Sequence, residues 1–215
     1  MLRDYRPGEE AREIDWRASA RCGTLQIRER DRDVPLTWSA IVDRSLSMSV
    51  GRRRSLQASA HEAMQAWRTC LGPDDRWKDV RVKTKVFAPA YELESALRQL
   101  PRGAALLVVS DFYELGFVGH TLLRTLARRF DCTALIARDP WFEEFPLQGF
   151  IQIVDAENSA CQEFYVGPRE RARYRIATAA REAEIMRVFE HTGWRAAVLE
   201  EHDGTSALLR AFELA

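Results

Sequence analysis

No stretch of this chain stays apolar for anything near the ~18 residues a helix needs to cross a bilayer, and no signal-peptide core follows Met1. Charge of one sign is not in excess either. Lys plus Arg and Asp plus Glu both number 32, giving a formal net charge of zero. That balance argues against general binding to nucleic acid or to membrane surfaces, where a basic excess is usual. Cysteine is sparse: Cys22, Cys70, Cys132 and Cys161 form no C-x-x-C pair and have no histidine nearby at metal-ligand spacing. Single buried thiols in a reducing compartment are the expectation. His61, His120, His191 and His202 lie far apart and share no motif. A nucleotide-binding G-x-x-x-x-G-K-[ST] loop is missing, and "SMSVG" lacks the first glycine of a serine-hydrolase elbow. These absences point to a soluble, cytoplasmic protein. The abrupt start in charged sequence, "MLRDYRPGEE", leaves room for an upstream part.

What is present is a chain of 215 residues, 46% of them hydrophobic, long enough for one large domain with a real core and short for two. Residues 1–35 are rich in arginine and acids and read as an N-terminal extension packing on a domain of residues 36–215. Within the extension, "TLQIRERD" suits an exposed strand. Four apolar runs of strand length follow, at 37–42, 105–110, 132–137 and 195–199. Between them fall helical patterns at 55–71, 91–100, 118–130 and 169–191, with a last one at 206–214. The long helix places Ala172, Ile176, Ala179, Ala183, Met186 and Phe189 on one stripe. "DVRVKTKVF" (79–87) alternates as a half-exposed strand, and residues 150–166 as a polar hairpin. Strands alternating with helices predict a doubly wound, mainly parallel α/β sheet with helices on both faces. Ligands bind such sheets where the carboxyl ends of adjacent strands diverge.

Two polar clusters sit at such carboxyl ends. "LTWSAIV" runs straight into Asp43, with Ser45 and Ser47 at every second position after it, and "AALLVVSDF" ends in Ser110 and Asp111. Hard divalent cations take oxygen ligands, and Mg²⁺ keeps several waters, so an aspartate and two hydroxyls from one loop plus an aspartate from another would suit it. Asp43 and Ser45 would equally serve as a helix cap or as acceptors for loop N–H groups. "GRRRS" (51–55) reads as a solvated loop entering the first helix. Asp15, Trp16 and Arg17 suggest a partner surface or, for Trp16, an anchor holding the extension against the domain, and Trp141, Phe142 and Phe145 an aromatic cluster in a loop.

The "DRSLS" and "VVSDF" motifs resemble the metal-ion-dependent adhesion site of von Willebrand factor A-like domains, D-x-S-x-S with a later Asp. "YRPGEEAREIDWRASAR" (5–21), "LVVSDFYE" (107–114), "ARDPWFEEFP" (137–146) and "RARYRIATAAREAE" (171–184) widen the resemblance, in the same order, to domain-of-unknown-function family 58. The resemblance implies a von Willebrand factor A-like, Rossmann-type topology and a non-enzymatic interaction module, an adaptor of a MoxR-type AAA+ ATPase in protein maturation or remodelling. It implies metal ligation by Asp43, Ser45, Ser47 and Asp111, with Arg44, Tyr91, Glu92 and Tyr113 as partner-contacting positions around them. Members usually carry membrane helices upstream, which would put a fuller protein at the cytoplasmic face of the membrane. One departure matters. The site normally takes a threonine hydroxyl from a loop resembling T-D-L-x-x-A-L, and this chain has "YELESAL", with Tyr91 and Glu92 in those places. The resemblance thus implies a degenerate site with Mg²⁺ weak or absent. The competing expectation is a hydrolase or phosphatase using Asp43, but the second acid such chemistry needs two residues on is replaced by Ser45.

Overall fold

The four apolar runs all enter one sheet, because helices with apolar stripes cover both of its faces; three become inner strands, while 195–199, expected to be inner as well, forms the edge opposite Arg76–Trp77. The computed structural model describes residues 2–4, 19–20, 23–28, 35–81, 87–113, 119–141, 147–154 and 160–213. The chain divides into two compact units, 1–35 and 36–215. In the first, β1 (Leu2–Asp4) pairs antiparallel with β2 (Gln26–Arg28), which falls within the run read as an exposed strand. Asp15, Trp16 and Arg17 lie outside the described residues.

The second unit holds a five-stranded sheet in the order β4-β3-β5-β6-β9, parallel throughout. These are β3 (Thr37–Val42), β4 (Arg76–Trp77), β5 (Ala105–Ser110), β6 (Asp131–Ala137) and β9 (Arg195–Leu199). The helices are α1 (Leu56–Thr69), α2 (Pro89–Gln99), α3 (His120–Arg129), α4 (Pro168–Thr192) and α5 (Gly204–Glu213). The two-residue side-chain period of the strands sorts the core into two layers. Leu106, Val108, Ala134, Ile136 and Ala196 pack on one face against α2, α3 and α4. Leu107, Val109, Leu135, Ala197 and Leu199 pack on the other against α1 and α5. The fold is therefore a doubly wound α/β sheet, as expected.

From β3 the chain first builds β4 on one flank and then returns to lay β5 on the other. The strand order reverses at that point, so the carboxyl ends of β3 and β5 bound a crevice. The start of α1 is locally encoded as well: Ser55 caps it, its hydroxyl accepting from Ala58 N–H at 3.2 Å.

Several expectations are corrected. The edge strand is Arg76–Trp77, not the alternating run after it. Residues 78–81 form no strand, and 82–86 lie outside the described residues. Asp75 explains the shift: its carboxylate accepts from Leu36 N–H and Trp38 Nε1 at 2.8 Å and from Gly72 N–H at 2.9 Å, pinning the chain beside β3 before the alternating run begins. Val80 instead packs against the core from outside any strand. The expected stripe on α4 holds only at its C-terminal end: Met186 and Phe189 pack into the core, but Ala172, Ile176, Ala179 and Ala183 are exposed, while Ile185 and Thr192 are buried and Tyr174, Thr178, Arg181 and Glu182 turn partly inward. Polar groups of the crevice, not apolar ones, take up the first half of that helix. The hairpin exists, β7 (Gly149–Val154) with β8 (Cys161–Val166), but it exposes Phe150, Val154, Phe164 and Tyr165 and is not simply polar. Of the described cysteines only Cys132 is buried; Cys70 and Cys161 are exposed.

Candidate functional site

Backbone pairing sets the site before any side chain does. Val42 is in register with Val109, and Asp43 N–H continues the ladder to Val109 C=O at 2.8 Å. Asp43 is thereby held opposite the end of β5, and its Oδ2 accepts from Ser110 Oγ at 2.6 Å. Its other oxygen, Oδ1, accepts from Ser45 N–H at 2.8 Å. After Asp43 the chain makes a short 3-10 turn, Leu46–Ser49, with Met48 fully buried in the α1 layer. Seating Met48 leaves the serines two and four residues past Asp43 on the crevice side. Ser45 Oγ and Ser47 Oγ lie 2.9 Å apart, and Ser47 Oγ donates to Asp111 Oδ2 at 2.6 Å.

Asp111 is aimed by the residue after it. Phe112 has φ 52, left-handed backbone that is uncommon outside glycine and is tolerated where surroundings enforce it. The turn sends the Phe112 ring into the core, edge-on to Phe189 with centroids 4.9 Å apart, while Asp111 Oδ1 accepts from Tyr113 N–H at 3.0 Å. Arg181 of α4 steadies this loop, donating to the Asp111 carbonyl at 3.0 Å and lying 3.7 Å over the Tyr113 ring. Burial holds the Asp111 carboxyl above the usual carboxylate range; the hydrogen bonds from Ser47 and Tyr113 oppose that shift, and the charge of Asp43 adds to it.

Asp43, Ser45, Ser47 and Asp111 are thus brought into one hydrogen-bonded chain, which Ser110 completes. The capping alternative fails for Ser45, whose side chain makes no cap bond to the turn it precedes. It holds in part for Asp43, which does satisfy a loop N–H. Of the flanking positions, Tyr113 lines the crevice and is 62% exposed, and Tyr91 is 60% exposed on α2. Arg44 reaches back to Glu92, Nη2 to Oε1 at 3.6 Å. Glu92 itself is buried, and burial holds its carboxyl above the usual range, opposed by Arg44 and reinforced by Asp43.

The crevice opens into a cleft of about 1310 Å³ that extends past Arg138 and Asp139 at the end of β6 to Ile153 and Phe164 of the hairpin. On that side Arg138 grips Glu182 through Nε and Nη2, both at 2.8 Å, and Glu200 through Nη1 at 2.7 Å. Tyr174 donates to Asp139. These residues, with Arg181 and Ser110, are the part of the site that reading the sequence missed, except that Ser110 was visible as a polar strand end. Trp141 sits under the Arg52 guanidinium at 5.2 Å, while Phe142 and Phe145 lie outside the described residues. Arg52 and Arg53 N–H groups bind Glu201 at 2.5 and 3.4 Å, so the "GRRRS" loop is tied inward at its backbone.

The oxygen set fits a hard cation: two carboxylates and two hydroxyls meet with no sulfur or imidazole among them. Each carboxylate oxygen that now accepts a hydrogen bond keeps a further lone pair, and the Ser45–Ser47 hydroxyls can turn their lone pairs outward. Among the described residues no three His, Cys, Asp or Glu side chains cluster as a ready-made metal cage. Any ion here would depend on hydroxyls and water.

A match to a family model covers residues 1–70 and 81–185, taking in both polar motifs, Arg138 and Arg181. This chain belongs to the family described as protein of unknown function DUF58. Similar chains include an uncharacterized protein of Mycobacterium bovis and two of Mycobacterium tuberculosis. Each is 26% identical over 223 residues, 88% of this chain and 70% of the relative. No solved structure matches the chain significantly. No described helix is long and apolar enough to cross a membrane.

Proposed function

We propose that this DUF58 chain is a non-enzymatic protein-interaction module of the von Willebrand factor A type. It docks a carboxylate of a partner protein at the strand-end crevice through a weakly held divalent cation. The observation carrying this reading is the 2.6 Å bond from Ser47 to Asp111, which joins the D-x-S-x-S loop to the end of β5. Asp43, Ser45, Ser47 and Asp111 would hold the ion, and the ion would supply a positive centre that the partner's carboxylate completes. Tyr113, exposed at the rim, is the aromatic contact on offer, and Tyr91 is a second partner-contacting position on the family resemblance. The hydrolase alternative lacks its acid: the position two residues after Asp43 is Ser45, which turns to Ser47. We further propose a MoxR-type AAA+ ATPase as the partner, on the family resemblance alone, and a place in the cytoplasm or at its membrane face.

Titration calorimetry with Mg²⁺ and Mn²⁺ tests the cation. Without a threonine ligand, binding near 1 mM is expected, about 4 kcal/mol at the 1 M standard state, and Asp43→Ala is expected to abolish it. Micromolar binding would show that the missing hydroxyl hardly matters, and binding that survives in the variant would move the ion elsewhere. The partner is tested by mixing the chain with an AAA+ ATPase encoded beside it: co-purification and a changed ATPase rate are expected, and neither appearing would end that part of the reading.

A further inference from the structure

The hairpin of β7 and β8 leaves its apolar side chains in water. Val166 alone of the two strands is buried, and Phe150 and Val154 of β7 are 86% and 60% exposed. A lone two-stranded hairpin is barely stable in water and needs a further strand or a covering layer. Among the described residues no third strand pairs with it. β8 carries a charge at Glu163, whereas β7 reads GFIQIV, with four strong strand formers and neither charge nor proline. Alternate residues of β7 turn their N–H and C=O groups away from β8, and such an edge is a template for another strand. The five-stranded sheet treats its own edges differently. β4 is two residues long, and on the open side of β9 Arg210 donates to the Val198 carbonyl at 3.0 Å. Among the described residues no side chain closes β7 in this way.

We propose that β7 pairs antiparallel with β7 of a second copy of this chain, joining two hairpins into one four-stranded sheet in the order β8-β7-β7-β8. The occupant follows from symmetry. A two-fold axis closes an antiparallel edge pair, so the same six residues serve both copies and no second surface is needed. An axis through Gln152 sets Phe150 against the second copy's Val154 and Ile151 against its Ile153, with the two Gln152 amides facing each other. Every pair is then apolar with apolar or amide with amide, and no like charges meet. Phe150 already packs edge-on against Tyr165 with centroids 5.3 Å apart, and the second copy's Val154 extends that row. The outer strands carry Glu163, so the sheet stops at four. On the other face of the hairpin Ile153 and Phe164 line the cleft, so pairing steadies the cleft wall and places two crevices in one particle. This proposal does not depend on the cation.

Sedimentation equilibrium of the full chain is expected to show a concentration-dependent dimer. Gln152→Lys sets two ammonium groups face to face on the axis and is expected to weaken the dimer about tenfold or more. Glu163→Lys, on the same hairpin face but on the outer strand, is expected to leave it intact, and circular dichroism checks that both variants keep the fold. A cross-link fixes the register. In a background of Cys22→Ser, Cys70→Ser and Cys161→Ser, Gln152→Cys is expected to form an intermolecular disulfide on mild oxidation, since opposed residues of an antiparallel pair lie about 4.5–5.5 Å apart. Glu163→Cys is expected not to link, its two copies standing three strand spacings, about 14 Å, apart. A parent that stays monomeric through the submillimolar range would overturn the proposal and leave β7 to a strand of another protein. A dimer that Gln152→Lys does not weaken, or that links through Glu163→Cys and not Gln152→Cys, would overturn it as well.

Discussion

Trp67→Ala is expected to cost about 3–5 kcal/mol, the range for deleting a buried aromatic, with roughly 1 kcal/mol more for the hydrogen bond it carries. The ring is fully enclosed between α1 and the sheet. It meets Trp38 edge-on with centroids 4.7 Å apart and Phe212 of α5 at 6.0 Å, so one side chain joins β3, α1 and the last helix. Its Nε1 donates to Ser39 C=O at 3.1 Å, on a strand whose next turn carries Asp43. Truncation leaves a cavity lined by other elements that cannot collapse together, because each is anchored to the sheet. Domains are stable by only about 5–15 kcal/mol, so this variant is expected to lose a third of its stability or more. Urea denaturation followed by tryptophan fluorescence and circular dichroism measures it. Trp67→Phe is the companion: it keeps most of the apolar area, drops the N–H, and should cost about 1–2 kcal/mol. A midpoint for Trp67→Ala close to the parent's would mean that α1 is not keyed to the sheet at this point.

Gly204→Ala is expected to cost about 3 kcal/mol although it adds a single methyl group, at the upper end for overpacking. A Cβ on Gly204 would stand 2.3 Å from the Ser59 carbonyl oxygen and 2.9 Å from the Ala63 nitrogen. Both are backbone atoms of α1, so no side chain can swing aside, and one helix must be displaced. The crossing is also where Ser59 Oγ donates to the Glu201 carbonyl and Glu62 accepts from Thr205 at 3.3 and 3.4 Å, contacts that displacement would break. For a chain of this size ~2–4 °C of melting temperature accompanies each kcal/mol, and a drop of about 6–12 °C is expected by differential scanning calorimetry. A melting temperature within ~2 °C of the parent's would show that α5 can slide along α1 without loss.

Both substitutions turn on contacts that no local pattern announces, whereas the apolar strands were legible at once, though not that 195–199 would lie at the edge. Apolar runs of six or seven residues such as "AALLVVS" declare burial on both faces by themselves. The alternation of such runs with helical stripes leaves few topologies to choose from. The D-x-S-x-S loop was legible for a related reason: polar residues directly after a buried strand need partners, and Ser110-Asp111 at the end of the next strand was the obvious source.

Reading failed where two elements compete for one chain segment or one face. The edge strand formed at Arg76–Trp77 because Asp75 ties the chain to Leu36 and Trp38 across almost forty residues, a long-range constraint that outranks local alternation. The inward face of the middle of α4 went to Tyr174, Arg181 and Glu182, since each has a charged or polar partner waiting at the ends of β5 and β6, while of the expected stripe only Met186 and Phe189 reached the core. By itself the sequence determined the parallel sheet, its two apolar layers and the meeting of Asp43 with Asp111. All of these follow from hydrophobic period and from the rule that crevices open at the carboxyl ends of diverging strands. Only the tertiary structure decided that Glu92 is buried in the first turn of α2, that Arg181 braces the Asp111 loop and that α5 rides directly on the backbone of α1. Those depend on distances between elements, and distances between elements are set by how whole side-chain layers fill space together.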